Sequence, residues 1–305
     1  MRFEVIRTKS GAAGLSIASN SVLIGLKLVA GALTGSIAIL TDAIHSFIDL
    51  MASIVAFVSV RKADEPADED HPFGHARVEN LAAAIEGILI LIAAGVIIYE
   101  ATRRLGSGGE ISSVGVGIAV IAFAALVNVV ISSFLYRRAR EHDSPALAGD
   151  AAHLRTDAFT SGGVLVGLAL VEITGEPAFD AIAALFVAVA IVIAGLRILL
   201  GSTRVLVDEA PPPDELDRIE RIIAAARPDE MTGYHRLRAR RAGAQRHIDL
   251  HVQFRDGTTL HRAHALAHEL RAAIERELGG AQVLIHVEPE AHGEPHDRDR
   301  PLRRG

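Results

Sequence analysis

The sequence contains no cysteine and no tryptophan, and aromatic residues make up only 4% of it. Without cysteine, the chain has neither disulfides nor thiolate metal ligands. Without tryptophan, it lacks most of the aromatic belt that many membrane proteins place at the membrane–water interfaces.

Apolar residues, by contrast, are abundant and unevenly distributed. They make up 50% of the 305 residues and the mean hydropathy is positive, which is more apolar than an ordinary soluble domain. The net charge of −6 averages an apolar part and a charged part, so it says little about partners. The first apolar run follows Arg2, Arg7 and Lys9 but ends in no small-residue cleavage site, so we interpret it as an anchor and not as a removable signal.

Six apolar runs are each long enough to cross a bilayer, for which a helix needs roughly 20 residues. Their approximate ranges are 12–32, 36–60, 79–101, 113–136, 146–171 and 178–200. Lysine and arginine concentrate after the second, fourth and sixth runs, as at Arg61, Arg137 and Arg204. Because cytoplasmic connections have this excess of positive charge, we expect a multi-pass protein of the cytoplasmic (inner) membrane with both termini in the cytoplasm.

The second and fifth runs contain ionisable residues within apolar sequence. They share one pattern, Asp42-Ala43-x-His45-x-x-x-Asp49-x-x-x-Ser53 and Asp150-Ala151-x-His153-x-x-x-Asp157-x-x-x-Ser161. Ionisable groups at membrane depth are costly and by default mark an ion or proton path. Histidine and aspartate four residues apart lie on one helical face. Two such pairs supply two imidazoles and two carboxylates, a tetrahedral set that suits zinc.

The depths of the two motifs in the membrane agree. At 1.5 Å per residue, His45 lies about 14 Å from the outer end of its span, and His153 lies about 12 Å from the inner end of its own. The bilayer core is about 30 Å thick, so the pairs meet near its middle in antiparallel helices. Asp49 is then level with His153, and His45 with Asp157. We predict one site formed by these four residues.

Five further polar residues lie at membrane depth, and their positions leave more than one role open for each. Lys27, Glu86 and Asn128 either line a water-filled path, form hydrogen bonds between helices or extend to the membrane interface as snorkelling side chains. Asp42 and Asp150 precede the two histidines by three residues, and they either orient the imidazoles or border a water-filled vestibule.

The loop after the second span is acidic and contains His71 and His75. Such a group of side chains can bind a cation, and an acidic loop is also ordinary where it is exposed to water. The spacing alone favours the second interpretation.

From Pro211 onward the composition is that of a small soluble domain. A helix at about 214–226, strands at about 232–241 and 246–255, a helix at about 259–278 and a strand at 282–287 are predicted. This αββαβ order indicates a two-layer α+β domain. We therefore expect a membrane domain at residues 1–205, a soluble domain at 206–290 and a polar, disordered tail at 291–305.

Histidines are frequent in the predicted soluble domain. They lie on one face of its second helix and in its strands: His235, His251, His261, His264, His268 and His286. The strand histidines could gather across the sheet with Glu288, whereas a histidine-rich helix face could also be merely a polar surface.

These patterns resemble the cation diffusion facilitator family of divalent-metal/proton antiporters. The resemblance rests on the six spans, the paired His-x-x-x-Asp motifs, the loop motif His71-Pro72-Phe73-Gly74-His75 and the αββαβ domain, which looks metallochaperone-like. It covers nearly the whole chain. It implies a homodimeric transporter, not an enzyme, that exports zinc from the cytoplasm in exchange for protons. Its partners would be divalent metal ions, protons and the lipid bilayer, with no nucleic acid.

The resemblance also assigns residues to metal sites. His45, Asp49, His153 and Asp157 match the family's transport site, and Asp68, His71 and His75 match its loop site. The sites at which zinc bridges the cytoplasmic domains of two subunits match His235, His251, His264, His286 and Glu288. Zinc would thus be both the substrate and a structural or regulatory ligand.

The ligand types favour zinc, because manganese-type members of the family tend to use pairs of carboxylates. Cobalt, cadmium and, less well, iron also suit the set. An intramembrane metalloenzyme is disfavoured, since the chain lacks a His-Glu-x-x-His motif and four protein ligands would leave zinc no open position for water. A membrane-anchored metal sensor is disfavoured because an anchor does not need four ionisable residues at mid-membrane.

Overall fold

In the described part of the chain, six long helices form a first unit that ends at Leu206. They are α1 (Lys9–Thr34), α2 (Ile37–Ala63), α3 (Arg77–Ser107), α4 (Gly115–Glu141), α5 (Pro145–Thr174) and α6 (Ala178–Leu206). Among the described residues, five of these helices, α1, α3, α4, α5 and α6, contain a stretch long and apolar enough to cross a membrane, by length and composition. The prediction of a helical membrane fold is confirmed.

The computed structural model describes residues 8–34, 37–107, 115–176 and 178–290. The side chains of Asp42 and His45 lie outside the described part, although both residues belong to α2. The predicted tail at 291–305 lies outside it as well.

Each of the six helices continues past the predicted end of its span. The final turns of α2 and α4 contain Arg61, Lys62, Arg138 and Arg140. Polar residues end an apolar run, but they do not end the backbone hydrogen bonding of a helix. Basic residues also favour the last turn, because they face the negative end of the helix dipole. Hydropathy therefore marks the membrane-embedded length and underestimates the helical length.

Glycine permits close approach between the helices, as expected where lipid provides little hydrophobic drive for their association. A Cβ placed on Gly87 of α3 would lie 2.9 Å from the backbone nitrogen of Leu199 on α6. A Cβ on Gly149 of α5 would lie 3.1 Å from the Cβ of Glu86 on α3. These glycines set how closely α3 packs against α5 and α6.

A polar cluster joins the start of α5 to three other segments. Lys9 Nζ lies 2.5 Å from Asp64 Oδ1 and 2.9 Å from Glu79 Oε1. The hydroxyl of Ser144 donates a hydrogen bond to Glu79 and accepts one from the backbone N–H of Leu147. Ser144 is thus the N-cap of α5, with proline following it, as the sequence predicts.

The second unit begins at Val207 and has the predicted αββαβ order. Its elements are α7 (Pro213–Ala225), β1 (Met231–Ala242), β2 (Gln245–Phe254), α8 (Leu260–Leu278) and β3 (Ala281–Pro289). The strand order is β1-β2-β3, with β1 antiparallel and β3 parallel to β2. Parallel strands require a crossover, and α8 provides it.

One face of this sheet packs against helices α7 and α8. The buried core contains residues of both helices and alternate residues of β2: Ile219, Ile223, Ile248, Leu250, Val252, Leu266, Leu270 and Ile274. Because side chains alternate along a strand, His247 and His251 lie on the opposite face. The predicted α+β domain is confirmed.

Gly87→Ala is expected to destabilise the helical unit. The added methyl group would press on the backbone of Leu199, and overpacking of this kind typically costs about 1–3 kcal/mol. Gly95→Ala on the same helix is the matched control, because a Cβ there meets nothing within 4 Å. In thermal unfolding of the detergent-solubilised protein, the midpoint should fall for the first variant only. Equal midpoints would contradict the close contact between α3 and α6.

Candidate metal sites

The first candidate site lies between α2 and α5. His153 Nε2 is 3.1 Å from Asp49 Oδ1, so Asp49 is level with His153, as the depths predicted. Asp49, His153 and Asp157 each place a ligand atom within 4.8 Å of the others. Asp49 is 7% exposed and His153 is 6% exposed. The side chain of the fourth predicted ligand, His45, lies outside the described part, and its backbone is one helical turn before Asp49.

Hydrogen bonds beside this cluster join the two helices that form it. Ser53 on α2 donates to Asp150 Oδ1 on α5 at 2.8 Å, and Asn20 on α1 donates to Ser53 at 2.9 Å. Asp150 is fully buried. From the sequence, Asp150 either orients an imidazole or borders a vestibule, and both roles stay predictions. The structure adds a hydrogen bond that connects α5 to α2.

Two other polar residues at membrane depth have different environments. Lys27 on α1 donates to the Ser46 hydroxyl on α2 at 2.7 Å, which is a hydrogen bond between helices. Glu86 on α3 is fully buried, and its Oε2 lies 3.5 Å from His153 Nδ1. The sequence placed Glu86 at membrane depth without revealing this contact. The imidazole of His153 therefore lies between carboxylates on two helices.

The second candidate site is the loop between α2 and α3. His71 donates its backbone N–H to Asp68 Oδ1 at 2.6 Å, and His75 Nε2 lies 3.3 Å from Asp68 Oδ2. The backbone N–H of His71, together with the nearby imidazoles, lowers the pKa of Asp68. The ligand atoms of Asp68, His71 and His75 lie within 4.8 Å of one another. The three side chains are therefore close enough to share a cation, and the loop site stays a prediction.

The third candidate site lies on the open face of the three-stranded sheet in the second unit. His235, His251 and His286 are paired in register across β1, β2 and β3, and so form one row. Glu288 accepts contacts from two of them, with its Oε2 2.8 Å from His235 Nε2 and its Oε1 2.7 Å from His251 Nδ1. The pairing register of β1 shifts between His235 and Arg238, and Arg236 has a positive φ of 51°. Both observations indicate a β-bulge beside the site.

The remaining predicted ligands of this domain are placed differently. His286 Nε2 lies 3.6 Å from Glu288 Oε1, at the border of the cluster. His264 is on α8, where its ring packs 4.5 Å from that of His268. Within residues 207–290, the group of ligand atoms closer than 4.8 Å contains His235, His251 and Glu288, but not His264. Partial burial works to raise the pKa of Glu288, but hydrogen bonds from His251 and His235 hold it below its usual range.

All three clusters combine imidazole nitrogen with carboxylate oxygen, the donors that zinc and similar divalent ions accept. One cluster lies within apolar helices, and two lie outside them. A buried ion site between membrane helices, with further ion sites in connecting and soluble segments, is suited to moving an ion and not to chemical conversion.

Comparison with known families decides the class. The profile of the cation efflux transmembrane domain matches residues 14–207, and that of the cation efflux protein cytoplasmic domain matches residues 211–290. The chain belongs to the cation efflux family, the cation diffusion facilitators. The family predicted from the sequence is therefore confirmed. Its members are integral membrane transporters, not enzymes, and this chain is a divalent metal cation efflux transporter.

Relatives of this cation diffusion facilitator match it over nearly their whole length. The chain is 36% identical to an uncharacterised transporter of Synechocystis over 90% of this chain and 88% of the relative. It is 33% identical to the cation-efflux pump FieF of Serratia proteamaculans over 95% of each chain. It is 34% identical to FieF of Yersinia pestis over 94% of each. Among solved structures, the zinc form of CzrB, described as a putative zinc transporter, is similar to 29% of this chain. The identity is 34% and the TM-score is 0.27.

Glu288→Gln is expected to weaken zinc binding to the cytoplasmic cluster. The change keeps the size of the side chain but removes the charge that two histidines contact. The zinc affinity should fall more than about tenfold. That is the smallest loss typical for removing a residue that only orients a metal ligand, and Glu288 would be a ligand itself. Calorimetric titration of the full-length protein with zinc measures it. Glu277→Gln, an exposed carboxylate on α8, is the control and should bind as wild type. Equal zinc affinities in the two variants would show that Glu288 is not a zinc ligand.

Proposed function

We propose that this cation diffusion facilitator exports zinc from the cytoplasm in exchange for protons. The transport site consists of Asp49, His153 and Asp157, with His45 as the fourth ligand. The observation that supports this most is the buried contact of Asp49 with His153 beside Asp157, between two helices of membrane-spanning length. A single buried histidine could be a packing residue, whereas three gathered ligands are a site.

The donor set favours zinc over harder ions. Two carboxylates and two imidazoles complete a tetrahedral shell, the geometry that zinc prefers. Manganese and magnesium favour sites built from oxygen alone. Cobalt, cadmium and iron accept similar donors, so they are the alternative substrates.

Proton exchange follows from the same ligands. Imidazole and carboxylate must lose their protons to bind a metal, so metal and protons compete for one site. Histidine titrates near neutral pH, where a proton gradient can bias loading and release. Access that alternates between the two sides of the membrane then couples zinc export to proton entry.

The orientation and assembly belong to the same proposal. Arg61 and Lys62 at the end of α2, and Arg138 and Arg140 at the end of α4, support a protein of the inner membrane with these ends on its cytoplasmic side. Zinc bound by His235, His251 and Glu288 would stabilise a homodimer by mass action. His286 and His264 lie outside the tightest group, which fits a role as ligands from a second subunit. Zinc in the loop site would regulate transport.

Asp157→Asn should abolish zinc transport. Asparagine has nearly the same size but lacks the negative charge that a zinc ligand supplies, and we expect uptake to fall more than about tenfold. Uptake is measured in everted vesicles or proteoliposomes with an imposed proton gradient, together with the opposing proton flux. Glu172→Gln, the same exchange at an exposed position of α5, is the control.

The two fluxes of this experiment test separate parts of the proposal. Wild-type protein should move zinc and protons in opposite directions, and Asp157→Asn should move neither. Normal zinc flux in a correctly inserted Asp157→Asn protein would contradict the transport site. Zinc flux without proton flux in the wild type would contradict antiport while leaving the site intact.

A further inference from the structure

Glu86 is a buried carboxylate whose presence the packing of the helices does not explain. It is 0% exposed, and neither of its carboxylate oxygens has a hydrogen-bond partner among the described side chains. Burying a carboxylate without such partners costs free energy. Glu79, also buried on α3, contacts Lys9 and Ser144. Glu79 and Glu86 are glutamates of the same helix, but only Glu79 has polar partners that explain its burial. The burial of Glu86 needs another explanation.

The polar atom that Glu86 approaches belongs to the proposed transport site. Its Oε2 lies 3.5 Å from His153 Nδ1, while Nε2 on the other side of the ring lies 3.1 Å from Asp49 Oδ1. Gly149, one helical turn before His153, permits this approach. A Cβ on Gly149 would lie 3.1 Å from both Cβ and Cγ of Glu86. The sequence thus leaves space for α3 to bring a carboxylate to the imidazole.

The geometry distinguishes Glu86 from a metal ligand. The ligand atoms of Asp49, His153 and Asp157 lie within 4.8 Å of one another, and Glu86 is not part of that group. It faces the other nitrogen of the imidazole ring. A metal-binding histidine commonly donates its second ring N–H to a carboxylate, which fixes the tautomer and the ring orientation. At 3.5 Å, Glu86 Oε2 lies next to Nδ1, at the outer limit of a hydrogen-bond distance.

We infer that Glu86 is a positioning residue of the transport site, which holds Nδ1–H of His153 so that Nε2 faces the metal. This inference rests on the proposed function of Asp49, His153 and Asp157. It also gives α3, on which none of these ligands lies, a direct contact with the site. Movement of α3 during transport would thereby alter the orientation of a ligand on α5.

Two substitutions test this role. Glu86→Gln keeps an oxygen that can accept Nδ1–H, whereas Glu86→Met fills nearly the same volume without an acceptor. Zinc uptake is measured against zinc concentration in proteoliposomes at one pH. Glu86→Met should raise KM about 10–100-fold, the range for loss of a residue that orients a metal ligand, with little change in the maximal rate per inserted protein. Glu86→Gln, which keeps the acceptor oxygen, should have a KM near the wild-type value.

The outcomes separate this role from a purely structural one. A packing role would lower the amount of inserted protein or its thermal unfolding midpoint without a selective change in KM. An unchanged KM in Glu86→Met, or equal rises in both variants, would overturn the inference. Glu86→Leu, another apolar variant, replaces Glu86→Met if that protein does not insert.

Asp157→Asn, measured in parallel, identifies which proposal has failed. If it transports normally, the proposed site itself is wrong. If it does not transport while Glu86→Met has a wild-type KM, the site stands and only the positioning role of Glu86 is overturned.

Discussion

The contact between His153 on α5 and Asp49 on α2 is the interaction on which the arrangement of the helices depends. It is buried between helices that are mainly apolar, where polar groups are costly unless they are paired. Neighbouring bonds maintain it: Ser53 donates to Asp150 between the same two helices, and Ser144 caps the start of α5. A displacement of either helix would break several buried polar contacts at once.

Charge explains why such a site suits transport. Asp49 and Asp157 place two carboxylates beside one imidazole, and the second imidazole, that of His45, completes the proposed set. Carboxylates gathered away from water repel each other unless a cation or protons reduce their charge. A divalent ion or protons can each do so, and the two cannot occupy the same donor atoms together. The proposed exchange of one for the other rests on this competition, and the other two clusters lie outside the apolar helices.

Much of this could be predicted from the sequence, because the strongest patterns are local. The repeated His-x-x-x-Asp motif and the depth of each copy predicted that Asp49 meets His153, and alternation in the strands predicted the αββαβ domain. Contacts between helices were harder. Helix α3 has no distinct apolar face, so its sequence does not show which side meets α5, and the contact of Glu86 with His153 could not be derived. The bond of Asp150 with Ser53 could not be derived either, because the two residues are distant in the chain.

The most direct test of the transport site is the position of zinc itself. Anomalous diffraction at the zinc absorption edge, from crystals of the zinc-loaded protein, locates the ion without reference to activity. We predict a peak about 2.0–2.2 Å from His153 Nε2 and from carboxylate oxygens of Asp49 and Asp157, the usual zinc–ligand distances. A fully loaded crystal with peaks at the loop and cytoplasmic clusters but none between α2 and α5 would contradict the central claim.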